Sequence, residues 1–255
     1  WTRGQIFLDP IFPPTLRIGL LNTVRHIGKR DVKATSAAEH VLLGVLRTTR
    51  RAIEVIYIAQ ALEDLSPEVN KEAYLQVTRN LLSLPILEEG SDVPWLDRQY
   101  RAMLFNILLT HKDTRFVDQA KTQLVRTGNQ RGRDGKEVEV TYIDRTVLGY
   151  LTSVLGSKSM PILRNVYDHP DLDNSNRSRI RVAAAEYMGI SADADIIVNS
   201  RMTESFEMLV TEGADAKKKK ENRDRGLSNI KYYLGKLGEG RSVPPETIQS
   251  RQQYL

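Results

Sequence analysis

The chain contains no cysteine. Disulfides, thiolate metal sites, a cysteine nucleophile and thiol redox chemistry are therefore excluded. That absence is compatible with the cytoplasm and with the bacterial periplasm alike, so it leaves the compartment open. Histidine is scarce: His26, His40, His111 and His169 fall in no HExxH or HxH arrangement, and the adjacent Glu39–His40 pair stands alone. No metal is expected on that pattern. Long apolar runs are missing too, since none reaches the ~18–20 residues that a membrane span needs. The segment from Gly128 to Gly135 has three glycines. It lacks both the GxxxxGK[ST] spacing and a GxGxxG opening a helix, so it reads as a surface loop and not a phosphate cradle. No G-x-S-x-G elbow marks a serine nucleophile. No cofactor and no catalytic residue is expected, and the reading leans away from an enzyme.

What is present describes an ordinary globular chain of 255 residues, 40% hydrophobic and 27% charged, with a net charge of +5 and a pI near 9.3. The length fits one or two domains. The basic excess suits an anionic partner but is too small and too mixed in sign to demand one. The chain opens on Trp1, which reads as a processed protein or an excised fragment.

Helical periodicity dominates. Leu16, Leu20, Leu21, Val24 and Ile27 share a face if Pro14 opens a helix that stops near Gly28. A second segment runs from Asp31 through Ala34, Ala37, Ala38, Val41, Leu42 and Val45. A third, Ala52 to Leu65, is apolar nearly all round and is expected to be buried between neighbours. Ser66-Pro67 reads as a helix start, running to Ser83. After a loop from Glu88 to Val93, Pro94 starts a helix through Tyr100, Leu104 and Leu108. Asp113 caps another, with Phe116, Val117, Ala120, Leu124 and Val125 buried and Gly128 as its stop. Lys136 to Ile143 alternates and gives the one β signal, a short strand within an inserted loop. Helical spacing resumes at Val147. Two pairs of segments follow, Met160–Tyr167 with Ile180–Met188, and Ile196–Met202 with Phe206–Val210. The charged run from Asp215 to Arg225 reads as a loop. A last amphipathic helix carries Leu227, Ile230, Tyr233, Leu234 and Leu237, and another short helix is expected after Pro244-Pro245.

Within residues 146–190 the pattern sharpens. Leu155-Gly156 closes one helix and Pro161 begins the next, with Ile162, Leu163 and Val166 inward. Asp168 and Pro170 occupy a turn. Arg181, Val182, Ala183, Ala184 and Ala185 form a second helix that ends at Gly189, and the small alanines allow close stacking of helix axes. This stretch resembles the HEAT repeat, a helix-turn-helix unit of ~40 residues. The segment Asp171 to Arg179 is longer than the usual turn of that family. The resemblance implies an all-α fold of helix-hairpin repeats stacked as an α-solenoid. It also implies ladder roles for Asp168 and Arg181 between neighbouring repeats. Extended along the chain, it gives one domain over residues 1–255, with inserted loops near 128–145 and 213–225.

The basic clusters are the functional candidates: Arg47, Arg50 and Arg51 near a helix junction, Arg177 and Arg179 ahead of Arg181, and the run Lys217, Lys218, Lys219 and Lys220. Such groups neutralise anionic partners in a salt-dependent way. The leading expectation is a non-catalytic protein-binding scaffold using a solenoid surface. The second is a nucleic-acid-binding HEAT-like protein, some relatives of which are DNA glycosylases. It expects the arginine clusters to converge on one concave face.

Overall fold

Short polar residues start the helices of this chain by supplying the acceptors that first-turn N–H groups lack. The Thr15 hydroxyl accepts from the Ile18 N–H, Asp31 from Ala34, Asp144 from Thr146 and Val147, and Asp173 from Asn176. In the computed structural model, residues 15–84, 96–131, 137–210 and 216–238 are described. They fall into two compact units, residues 1–119 and 120–255. Both are built from α-helices, apart from one two-stranded sheet among the described residues.

The first unit contains α1 (Leu16–Gly28), α2 (Val32–Thr48), α3 (Ala52–Leu65), α4 (Lys71–Leu82) and α5 (Leu96–Thr110). As its all-round apolar pattern predicts, α3 is the hub and packs against α1, α2, α4 and α5. Val55, Ile56, Ile58, Ala61 and Leu62 are buried along it. Each fully buried aliphatic side chain contributes roughly 1.5–3 kcal/mol of transfer free energy. Gly28 closes α1 against its neighbours. A Cβ there would sit 2.7 Å from Ala38 Cβ and 2.9 Å from Leu65 Cδ2, so this helix end approaches as closely as it does because the residue is glycine.

Two expectations for this unit need correction. The face of α1 that is buried carries Ile18, Leu21 and Gly28, while Leu16, Leu20 and Ile27 are exposed. Periodicity gives the width of an apolar stripe, and a helix with two apolar stripes does not announce which one is covered. The helix expected from Ser66-Pro67 begins only at Lys71. Ser66 caps the end of α3, and Glu68 takes a left-handed backbone conformation (φ 65°) that no helix start tolerates. The loop at 88–93, Pro94 and the segment after Pro244 lie outside the described residues.

The short helix α6 (Val117–Thr122) leads into the second unit. The stripe expected to continue through Val125 to Gly128 instead turns into strand β1 (Val125–Arg131). That strand pairs antiparallel with β2 (Glu137–Ile143), from Val125 opposite Ile143 to Arg131 opposite Glu137. β-branched Val125 favours the extended state, and the Leu124 carbonyl accepts from the Asp144 N–H at 3.0 Å, closing the base of the hairpin. The β segment expected at Lys136 to Ile143 is thus half of a hairpin. Asn176 pins it to the helices, accepting from the Ile143 N–H at 3.1 Å and donating to the Thr141 carbonyl at 3.3 Å.

After the hairpin come α7 (Arg145–Leu155), a 3-10 turn (Gly156–Ser159), α8 (Met160–Tyr167), α9 (Asn174–Ala185), α10 (Ala192–Val210) and α11 (Ala216–Gly238). α10 packs on α8, α9 and α11. Gly156 ends α7 with φ 58°, and Pro161 sits in the first turn of α8, both as expected. Three boundaries differ. The stretch 171–179 is mostly the first turns of α9, because Asp173 caps it early. Ile196–Met202 and Phe206–Val210 belong to one helix, with no glycine or proline between them to break it. The charged run expected as a loop is helical from Ala216 onward. Spacings of four residues, as in Lys217–Glu221 and Lys220–Asp224, let opposite charges support a helix there.

Candidate functional site

The strongest candidate lies in the first unit, where α2 ends and α3 begins. Its centre is Glu54, in the first turn of α3, where a carboxylate suits the positive helix end. Glu54 is only 1% exposed, an exceptional position for a charge unless it is compensated. The Thr49 hydroxyl donates to Glu54 Oε2 at 2.5 Å and accepts from the Arg51 N–H at 3.2 Å, which fixes the tight connection between the helices. Arg17, reaching over from α1, places Nε 3.0 Å from Glu54 Oε1 at an angle too poor for a hydrogen bond, so this contact is an ion pair. Arg51 adds a second guanidinium 3.9 Å from the same oxygen.

Both arginines remain largely in water, at 52% and 70% side-chain exposure. Arg47 and Arg50, close to Arg51 in sequence, are exposed as well. The fold thus sets two guanidiniums, those of Arg17 and Arg51, on one buried carboxylate, with two more exposed arginines close by in sequence. Local positive charge remains on the outside, and the positive end of α3 adds to it. Arg47, Arg50 and Arg51 lie within five residues of sequence; Arg17 is brought to Glu54 from α1. Its signal was weak, an isolated arginine beside Leu16. Glu54 was the better clue, a lone carboxylate among Ile53, Val55 and Ile56 that must have a partner when buried.

The second arginine group is arranged differently. Arg177 donates from Nε to the Tyr167 carbonyl at 3.2 Å and from Nη2 to the His169 carbonyl at 3.0 Å, satisfying the end of α8. Arg179 donates to Asn176 Oδ1 at 2.5 Å. Arg181 is 3% exposed. It donates from Nη2 to the Asn174 carbonyl and side-chain oxygen, lies 5.9 Å from the Tyr167 ring centroid, and has Nη1 3.6 Å from Glu204. Asp168 pairs with Arg164 on its own helix at 2.6 Å. Ala184 is fully buried, and Gly189 adopts φ 72° while its N–H donates to Asp195. In the lysine run, Lys220 is exposed; the side chains of Lys217, Lys218 and Lys219 lie outside the described residues.

A third cluster has the composition of a catalytic site. Tyr74, buried on α4, donates to Glu63 Oε2 at 2.9 Å, and its oxygen lies 3.0 Å from His111 Nε2. His111 Nδ1 is 3.6 Å from Glu68. Burial first, and then the hydrogen bond to Glu63, push the Tyr74 phenol well above its ordinary value. A phenol so held keeps its proton and acts as a donor to Glu63, the opposite of what an activated base or nucleophile requires. Lys71, at 2.8 Å, holds the Glu68 carboxyl below the usual carboxylate range. The cluster ties α3, α4 and α5 together. Among the described residues no group of three histidines or carboxylates is placed to hold a metal ion, and no helix is long and apolar enough to cross a membrane.

No family model, no curated protein and no solved structure matches this chain. The functional reading therefore rests on the geometry above.

Proposed function

We propose that this protein is a non-catalytic binding scaffold that holds an acidic segment of a protein partner against Arg17, Arg47, Arg50 and Arg51. One observation carries the reading. Two arginines, Arg17 and Arg51, contact a single buried carboxylate while keeping most of their side chains in solvent, and Arg47 and Arg50 are exposed close by in sequence. Guanidiniums in water are free to form bidentate pairs with carboxylates. The helical-repeat resemblance of residues 146–190 fits the same role, because stacked helix pairs present extended surfaces without a catalytic pocket. We retain the HEAT-like solenoid as part of this proposal. Nucleic-acid binding is the weaker alternative, because Arg177 is committed to backbone carbonyls and Arg181 is buried.

The test is fluorescence anisotropy with three labelled probes: a glutamate-rich peptide, mixed-sequence duplex DNA and single-stranded RNA. Binding of the peptide that weakens with salt and is abolished by Arg50→Glu with Arg51→Glu supports the proposal. Tighter binding of either nucleic acid, lost with the same substitutions, transfers the site to the nucleic-acid reading. No binding of any probe at low salt sinks both.

A further inference from the structure

Helix α1 carries two apolar stripes, and the fold uses one. Ile18, Leu21 and Gly28 face α2 and α3. On the other side, Leu16, Leu20, Val24 and Ile27 follow one another at spacings of four, four and three residues, the interval at which a helix meets a neighbour. Leu16 is 81% exposed, Leu20 59% and Ile27 44%, while Val24 is half-buried. Single exposed leucines need no explanation, but a stripe along an entire helix does.

The charges beside the stripe restrict what could cover it. No aspartate or glutamate occurs in α1, whose sequence is LRIGLLNTVRHIG. Arg17 lies about 20° around the helix from Val24, at 100° per residue, and so borders the stripe. It also shares the Glu54 carboxylate with Arg51, so the stripe lies beside two guanidiniums. An apolar row edged by positive charge complements an amphipathic helix with the inverse pattern.

We infer that α1 and the arginine cluster together form a docking surface for an acidic amphipathic helix of a partner protein. The partner presents apolar residues at i, i+4 and i+7 or i+8, with aspartate or glutamate along the flank that meets Arg17 and Arg51. α1 is 13 residues long, which gives about 20 Å and matches three to four turns of a partner helix. Self-association fits poorly. α1 carries Arg17, Arg25 and His26 and no acidic residue, so two copies would set like charges together. This inference rests on the acidic-partner reading and adds the apolar half of the recognition.

The experiment uses the full chain and three labelled helical peptides of about 18 residues, long enough to hold helical structure when bound. The first has leucines at the stated spacing and glutamates on the flank. The second replaces glutamate with lysine, and the third keeps the glutamates but replaces leucine with serine. The first should bind at least about tenfold more tightly than either other. Leu20→Gln with Ile27→Gln should remove that advantage without changing the binding of the third. Both positions are exposed, and circular dichroism checks that the fold persists. If the first and third bind equally, the apolar stripe takes no part and this inference fails while the acidic-partner reading stands. If neither binds, both fail. A dimer in sedimentation that Leu20→Asp dissociates would assign the stripe to a second copy. Binding of the first peptide only after residues 1–14 are removed would assign it to the chain itself. Either result overturns the inference.

Discussion

The two arginine groups of this protein differ in what the backbone around them needs. On α9, Arg177 is consumed in supplying donors to carbonyls at the end of α8, and Arg181 is buried against Asn174, Tyr167 and Glu204. At the α2–α3 junction, Thr49 serves the Arg51 N–H and the Glu54 carboxylate, and Glu54 takes one contact each from Arg17 and Arg51. The guanidiniums there reach water with most of their donors uncommitted. Clustered arginines are thus candidates for binding only once the unsatisfied carbonyls near them have been counted.

The largest expected effect probes the consumed group. Arg181→Ala should lower stability by about 3 kcal/mol, through lost hydrogen bonds to Asn174 and a cavity beside Tyr167. Glu204 would not be left unpaired, since Arg201 holds it at 2.6 Å. Arg181→Met, which restores apolar volume, should recover part of the loss, as buried ionic groups often tolerate such replacement. Urea unfolding of both variants measures this. An unchanged midpoint for Arg181→Ala would erase the distinction between the two groups. Ala184→Leu, one turn along the same buried face, should lose about 1–3 kcal/mol by overpacking, read as a lower thermal midpoint.

Glu54→Gln sharpens the comparison because its two readouts move in opposite directions. The amide keeps an acceptor for Thr49 but loses the charge that Arg17 and Arg51 neutralise. Stability should fall by about 1–2 kcal/mol. The released guanidiniums should bind the acidic peptide a few-fold more tightly, with a steeper dependence on salt. If stability and affinity fell together, Glu54 would be shaping the site and not restraining its charge.

Much of this was legible in the sequence where one physical signal dominated. The all-round apolar pattern of Ala52 to Leu65 marked the central helix, and Gly156 and Pro161 marked a helix end and start that the structure places there. Legibility failed where two local preferences competed. Phe116 to Val125 has helical spacing, yet Val125 is drawn into a strand by a partner 18 residues away, at Ile143. Ser66-Pro67 resembles a helix start, but the contacts of Glu68 with Lys71, three residues on, and with the distant His111 favour a turn. At the candidate site, Arg47, Arg50 and Arg51 were visible as a cluster, whereas Arg17 was not. Its role depends on α1 crossing the start of α3, and sequence spacing carries no information about that crossing.

The smallest expected effect is the most discriminating for the exposed group. Arg47→Ala and Arg50→Ala remove side chains that lie in solvent. Each should change stability by less than about 0.5 kcal/mol. Each should nevertheless weaken the acidic peptide a few-fold at low salt, with the difference shrinking as salt rises, because an exposed charge acts through a screened field. Thermal melts and anisotropy titrations on the same samples separate the two quantities. A stability loss as large as that of Arg181→Ala would mean that these arginines, too, are held by the fold. A binding loss without a stability loss would leave them with a partner as their one physical task.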